Sequence, residues 1–411
     1  MRTAFTLVLA AFAAACSVQL GETDDNNSGG ASAAGSGGGG AGGAGGATGG
    51  ATSGGTGGGT GGGLTCDPGF GDCNGDATDG CETSLSDNDQ NCGACGRSCL
   101  GGACSQTQCA SVTLTTGQAD PGAISVDGGQ VFWIKNSPGA GAVMRISVEG
   151  TNIVSLAAPP SGLRDVIHVD KDYVYWVRPD WANADKLYRR AKDGQADEEM
   201  MWQGGTVGEV RDIADDGKAV YVSRSTGSYG DIMRLAPGKS SQRLTGGFDG
   251  TPHRLAVDDA NVYSYWSGLT NIGGPGAVSY MSTLGGMRVN LATAPQGAPG
   301  PAIQDIAQSG DQLYFSWRND PTAINVMPKT GGTPKVLVSA PGIVYVLADS
   351  KHVYWASIDA SENSALHRVA LDGGTPETLA TDAGEVGGIA QDAVAIYWTN
   401  RTASAVRKVA K

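Results

Sequence analysis

The sequence predicts an all-β chain whose last 300 or so residues, 111–411, form a seven-bladed β-propeller closed by a strand from its own N-terminal side. Three observations carry that expectation. One strand pattern recurs seven times: Val131-Phe132-Trp133, Val174-Tyr175-Trp176, Val220-Tyr221-Val222, Val262-Tyr263-Ser264, Leu313-Tyr314-Phe315, Val353-Tyr354-Trp355 and Ile396-Tyr397-Trp398. The central aromatics lie 43, 46, 42, 51, 40 and 43 residues apart, which is the period of a four-stranded blade. The last unit stops at its third strand, AVRKVAK (405–411), while SVTLTT (111–116) stands spare ahead of the first. Pairing the two closes a ring and leaves no open sheet edge.

From the N-terminus onward, MRTAFTLVLAAFAAACS sets one positive residue, Arg2, before an apolar run from Ala4 to Ala15. That run is too short to span a bilayer and reads as an export signal. The small residues ahead of Cys16 make residues 1–15 resemble a bacterial lipoprotein signal peptide. The resemblance implies cleavage before Cys16, diacylation of its sulfur, and an anchored place at the cell surface or in the periplasm, on the outer membrane. An ordinary secretory signal cut after an A-x-A site is the alternative. Residues 16–63 follow as a tether: positions 28–63 hold 21 Gly in 36 and no charge. Such a segment buries nothing, and as a flexible coil it reaches about 30–36 Å.

The third element, 64–110, is a cysteine-rich module. The chain has nine cysteines, and setting Cys16 aside leaves Cys66, Cys73, Cys81, Cys92, Cys95, Cys99, Cys104 and Cys109. In an exported chain these eight read as four disulfides, with the pairing open. The CGAC at 92–95 also fits a redox or zinc site, but six neighbouring cysteines and an oxidising compartment argue against that. Within the module, DCNGDATDGCE (72–82) alternates Asp72, Asn74 and Asp76 as calcium-loop oxygens do, with Asp79 and Glu82 placed to complete a shell. It is not an EF-hand, since Ala77 stands where Gly is needed and Thr83 where the bidentate Glu belongs. Calcium is the one cation the pattern suggests, and no cofactor is required. Acidic turn residues in a small disulfide-held module are the structural alternative. The run CDPGFGDCNGDATDGCETSLSDNDQNCGACGRSC (66–99) resembles a cysteine-rich module common in surface lipoproteins of high-GC Gram-negative bacteria.

Within 111–411, each aromatic strand is preceded by an alternating one: ISVD (124–127), IHVD (167–170), LAVD (255–258), VLAD (346–349). A third follows, such as VMRISV (143–148), IMRLA (232–236) or LHRVAL (366–371), closed by Gly turns like DGG (372–374) and TGG (330–332). A fourth comes after it, such as IVSLA (153–157), KVLVS (335–339) or ETLA (377–380). Period-two alternation broken by Gly and Asp marks strands and hairpins. The region resembles the superfamily of YWTD- and NHL-type propellers, with YWTN (397–400) nearest to the Tyr-Trp-Thr-Asp signature. The YWTD receptor propellers have six blades, against seven here. The recurrent aromatics read as core, filling the wedge between blades.

Aligning the units on the aromatic gives Gly122-Ala123, Asp165-Val166, Arg211-Asp212, His253-Arg254, Gln304-Asp305, Val344-Tyr345 and Gly387-Gly388 as the entries to the innermost strands. These surround one mouth of the central channel. Asp165, Arg211, Asp212, His253, Arg254 and Asp305 are thus the candidate ligand-binding set, with a water-filled funnel of ion pairs as the structural alternative. Trp181, Trp266 and Trp317 follow the second strands of units two, four and five. As exposed indoles on that face they would suit stacking on sugars, or they merely cap the blade ends. Asp127, Asp170, Asp216, Asp258, Asp349 and Asp392 recur at one turn, where Asx side chains satisfy the backbone. His168 and His367 fall inside strands.

Function is bounded more loosely than fold. A formal charge of −13 repels phosphate backbones and excludes nucleic acid as a partner. No phosphate loop, G-x-S-x-G or H-E-x-x-H appears, and the propeller contains no Cys. The leading expectation is a membrane-anchored surface protein whose propeller binds a glycan, peptide or protein at one face. A propeller lyase or hydrolase with His253 and Asp305 as acid and base is the alternative. A structural envelope protein without a small ligand is the third.

Overall fold

The computed structural model describes residues 65–137, 141–159, 162–180, 183–204, 208–226, 229–267, 276–294, 303–317 and 320–411. The leader, Cys16, the Gly-rich tether and Trp181 lie outside these residues. Among them, every regular element is a strand, and no helix is long and apolar enough to cross a membrane.

Seven four-stranded antiparallel sheets follow one another around a ring, each ordered from inner to outer strand. Blade 1 runs from Pro121–Asp127 to Val154–Ala157, blade 2 from Ile167–Val169 to Glu199–Gln203, and blade 3 from Glu209–Asp215 to Gln242–Asp249. Blade 4 runs from Thr251–Val257 to Val289–Thr293, blade 5 from Ile303–Ser309 to Lys335–Ser339, and blade 6 from Ile343–Ala348 to Gly373–Asp382. Blade 7 takes three strands from the C-terminal end, Val386–Gln391, Ala395–Asn400 and Ala405–Ala410, and its outer strand is Val112–Thr115. The registers Val406↔Thr115 and Lys408↔Val112 close the ring as the spare strand predicts.

The core consists of seven clusters, each shared by two neighbouring blades. One joins Phe132, Ile134, Val143 and Leu156 of blade 1 to Ile167, Val174 and Trp176 of blade 2. Another joins Tyr354, Leu366 and Leu379 of blade 6 to Ile389, Ile396 and Trp398 of blade 7. Second-strand residues are buried on both faces, so they read as continuous apolar runs such as Tyr173–Arg178, YVYWVR. Burial of these aromatics between sheets is the main force holding blade to blade.

At the turn joining inner and second strands, the repeated Asp does two jobs. Asp349 Oδ1 accepts from the Lys351 and His352 N–H groups at 2.8 and 2.9 Å, while Oδ2 accepts from Tyr354 Oη at 2.9 Å. Asp170, Asp216, Asp258 and Asp392 repeat that clamp on Tyr175, Tyr221, Tyr263 and Tyr397. Blade 1 has Phe132 in place of the tyrosine, and its Asp127 is held by Lys192 of blade 2. Lys329 and Lys411 tie Asp258 and Asp349 of the preceding blade in the same way, at 2.8 and 2.9 Å.

The module is stapled by Cys66–Cys81, Cys73–Cys95, Cys92–Cys104 and Cys99–Cys109. It packs on the propeller: buried Cys92, Cys99, Cys104 and Cys109 form a cluster with Ala410 of blade 7. Arg97 Nε donates to the Lys411 carbonyl at 2.9 Å, and the guanidinium lies 3.5 Å from Glu377 of blade 6. Lys411 N–H bonds Val394, in the blade 7 Asp turn, at 2.9 Å. The module therefore sits by the face that carries the Asp turns, opposite the entries to the inner strands.

Candidate functional site

Those entries are built by a repeated irregularity. Six inner strands slip register at the same point against their second strands, between Pro121 and Ile124, Val210 and Asp212, Pro252 and Leu255, Ile303 and Ile306, Ile343 and Tyr345, and Val386 and Gly388. A bulge re-aims side chains locally. Here it decides which residue of each pair enters the channel. Ala123, Asp165, Asp212, Arg254, Asp305, Tyr345 and Gly388 line a central cavity of about 410 Å³.

Four of the six expected mouth residues are thereby brought together: Asp165, Asp212, Arg254 and Asp305. Arg211 and His253 are not. Arg211 falls in the blade 3 bulge and turns outward to Glu209 at 2.8 Å. His253 packs into blade 4, its ring 5.8 Å from that of Tyr265 and stacked on it. A one-residue shift in a strand reverses the side a residue faces, and the bulge supplies that shift. The exposed-indole expectation also fails for two tryptophans. Trp266 lies within a strand, fully buried between blades 3 and 4 beneath Arg288. Trp317 ends its strand buried edge-on against Phe315 at 4.9 Å. Both strands extend past the aromatic motif, so these indoles are core. Among the described residues, strand direction puts one exposed aromatic on the mouth face: Tyr229, half exposed, at the start of the blade 3 third strand. Only an alignment of third-strand starts would have singled it out.

The mouth side chains knit neighbouring inner strands. Asp212 Oδ2 accepts from Leu255 N–H at 2.8 Å, joining blades 3 and 4. Asp305 accepts from Ile306 N–H at 2.9 Å and from Val346 N–H at 3.0 Å, joining 5 and 6. Tyr345 Oη donates to the Gly387 carbonyl at 2.7 Å, and Thr399 Oγ1 to that of Gly122 at 2.7 Å, carrying the chain of contacts through blade 7 to blade 1. Asp165 accepts from Ala123 N–H and pairs with Arg401. Arg401 also holds Asp120 at 2.6 Å. Sequence alignment misses Arg401 because it comes from the loop after a second strand, not from an inner-strand entry.

Arg254 is the exception to this saturation. Among the described residues its one hydrogen bond is a long contact, 3.4 Å, from Nη1 to Asp212 Oδ1. Its carbon lies 5.8 Å from the Tyr345 ring centre, at the limit of a cation–π contact. About a third of the side chain faces the channel. Burial opposes its charge, but Asp212, Asp305, Tyr345 and Asp165 outweigh that and hold it more firmly protonated than usual. Burial pushes the Asp305 carboxyl the other way, up to about 6, against the pull of Arg254 and the Val346 N–H. The Tyr345 hydroxyl is raised by the same burial.

The five module residues read as calcium ligands each serve a local turn. Asp72 Oδ1 accepts from Gly75 N–H at 2.6 Å, Asn74 Oδ1 from Asp76 N–H at 2.7 Å, and Asp76 Oδ1 from Thr78 N–H and Oγ1 at 3.0 and 2.7 Å. Asn74 Nδ2 donates to Asp79 at 2.9 Å, and Glu82 accepts from Thr83 Oγ1 at 3.1 Å. Among the described residues, the group of three or more His, Cys, Asp or Glu ligand atoms within 4.8 Å is Cys92, Cys99 and Cys109. All three are disulfide-bonded and offer no thiolate.

No protein family pattern and no curated protein matches the chain. Among solved structures, one of two prolyl endopeptidases is similar at 14% identity and TM-score 0.49, covering 64% of this chain. This chain spans only 42% of that protein's length. The computationally designed Ika8 protein is similar at 12% identity and TM-score 0.48, covering 73% of this chain and 98% of its own. A chain of the nidogen/laminin complex is similar at 14% identity and TM-score 0.45, over 64% and 97%. Likenesses this distant carry no argument about activity or ligand.

Proposed function

We propose that the chain is an exported, membrane-anchored recognition protein whose propeller mouth binds a neutral, acceptor-rich ligand, a glycan or a peptide main chain. Arg254 carries the reading. It presents a guanidinium fork with most of its donors unspent among the described residues, in a polar cavity where every carboxylate is already tied to a neighbouring blade. A ligand rich in hydroxyl or carbonyl oxygens satisfies those donors. An added anion is disfavoured, because Asp165, Asp212 and Asp305 already surround the cation. The docked module supports the reading too, since it lies by the opposite face.

A glycan and peptide array probed with the full chain and its Arg254→Met variant tests this. Loss of about tenfold or more in affinity, measured well below the variant's own melting temperature, is the expected outcome, since hydrogen bonds to a charged group are worth about 1.5–3 kcal/mol. Equal binding by both proteins would refute it. The enzymatic alternative keeps Asp305, whose raised pKa suits proton transfer near neutrality, but loses His253. Turnover of a bound ligand abolished by Asp305→Asn, with binding retained, would favour that alternative.

A further inference from the structure

Two large apolar side chains stand out of the surface together, at the turn joining the third and outer strands of blade 4. Leu284 is 75% exposed and Met287 84% exposed, with Val289 part-exposed beyond them. The turn is held firmly. Gly285 and Gly286 take φ of +92° and +140°, conformations that suit glycine. Gly285 N–H bonds the Ser282 carbonyl at 2.9 Å, and Gln242 Nε2 of blade 3 donates to the Leu284 carbonyl at 2.9 Å.

The same turn recurs with Gly150, Gly194 and Gly331, each bonded to the carbonyl three residues back. The residue before the glycine there is Glu149, Asp193 or Thr330, and before Gly373 of blade 6 it is Asp372. Where Met287 follows the paired glycines of blade 4, blades 5 and 6 have Thr333 and Thr375. Sibling turns thus build this geometry from polar residues, and folding does not account for the apolar pair. A patch of two side chains is far below the roughly 800 Å² per partner of a stable protein interface. It suits a bilayer surface, where a few side chains can enter the boundary between headgroups and acyl chains. The chain outside the described residues favours the same occupant. Residues 1–64, with their apolar run and Cys16, join the propeller through the module that docks beside Lys411 and Val394. That is the face on which Leu284 stands, since Thr283 N–H bonds Ala260 in the blade 4 Asp turn at 2.9 Å.

We propose that the Leu284–Met287 turn enters a lipid bilayer surface and seats the propeller with its charged mouth turned away from the membrane. Two side chains give on the order of a millimolar affinity for lipid. A flexible tether supplies a similar effective concentration, so the weak contact is enough once the chain is anchored.

The test is local and does not depend on the anchor. The full chain carrying Cys16→Ser receives one new cysteine, Leu284→Cys, Thr330→Cys or Asp372→Cys, labelled with a polarity-sensitive fluorophore. Each protein is titrated with phosphatidylcholine vesicles whose acyl chains are brominated. The 284 label is expected to be quenched at millimolar lipid, while the 330 and 372 labels on the same face stay in water. Adding Met287→Ser to the 284 protein is expected to raise the half-maximal lipid concentration about tenfold. Three outcomes overturn the proposal: equal quenching at all three sites, none at 284, or a 284 signal that follows protein concentration without lipid. The last would place a second copy of the chain on the turn.

Discussion

Asp305→Asn should reverse its effect on stability across the pH range. The Asp305 carboxyl lies where the inner strands of blades 5 and 6 meet, and burial lifts its pKa from 3.8 to about 6. In full, that displacement is worth about 3 kcal/mol. The group is partly open to the channel, so solvent screening leaves on the order of 1–2 kcal/mol. The folded carboxyl holds its proton more tightly than the unfolded one. Its contribution is therefore most favourable below about pH 4, declines as pH rises toward 6, and stays unfavourable above. Asparagine keeps the shape and removes the charge. It can accept from only one of the Ile306 and Val346 N–H groups unless its single oxygen is shared, a loss of about 1 kcal/mol. The variant should thus be less stable than wild type by about 1 kcal/mol at pH 4, and equal or more stable at pH 8. Urea unfolding of both proteins at the two pH values measures this, and comparison with wild type cancels the other carboxylates. Parallel behaviour of the two proteins from pH 4 to 8 would mean that Asp305 titrates as in open water, and the account of the mouth as a desolvated cluster would fail.

Asp382→Ala should cost about 1–3 kcal/mol, because the Trp398 indole at 3.0 Å and Arg407 at 3.2 Å both lose their acceptor. A cycle with Trp398→Phe is expected to show about 1 kcal/mol of coupling by denaturant unfolding, and strict additivity would refute the indole's share. Gly122→Ala puts a methyl 1.9 Å from Asp165 Oδ1, so it should break the tie from Asp165 to Ala123 and Arg401 and lower stability by about 2 kcal/mol. Asp72 and Asp76 close their turns through Oδ1 alone, which leaves each a second carboxylate oxygen that calcium could take. A melting temperature that rises more with millimolar calcium than with magnesium, and not in Asp76→Asn, is the outcome the ligand reading expects, and equal rises would overturn it.

The sequence made legible whatever is repeated. The aromatic strands and the Asp turns recur, so each unit checks the others and the one unit short of a strand points to the spare strand that closes the ring; all three appear as expected. The mouth was legible in half-measure for a physical reason. Counting back from the aromatic finds the right segment of each inner strand, but the bulge between Val210 and Asp212 sends Arg211 outward, and the one between Pro252 and Leu255 leaves His253 in the blade. Strand length misled in another way. Trp266 forms the last register pair of its strand with the third strand, opposite Ala277, and so lies inside the sheet and not in a loop. Disulfide pairing depends on how a loop-rich module folds in space, and spacing alone does not determine it.

Repetition also separates structure from recognition within the propeller. At the Asp-turn ends of the inner strands six blades carry the same residue, and in five it makes the same three bonds; a position so constant is doing the same mechanical task in each blade. At the other end the residues that line the mouth are Ala123, Asp165, Asp212, Arg254, Asp305, Tyr345 and Gly388, five different kinds among seven blades. Blades 7 and 1 contribute glycines there because their strands approach closely: a Cβ at Gly387 would lie 2.3 Å from the Pro121 carbonyl. That closeness leaves glycine on the blade 7 and blade 1 stretch of the wall, where the Asp165–Arg401 pair closes over Gly122, and Arg254 stands on the blade 4 stretch between Asp212 and Asp305. Inter-blade ties account for the carboxylates but not for a guanidinium with most of its donors unspent among the described residues, and that makes the wall unequal around the ring. The asymmetry is what a site needs to hold a ligand in one orientation, and it is why binding at this mouth is the reading to test first.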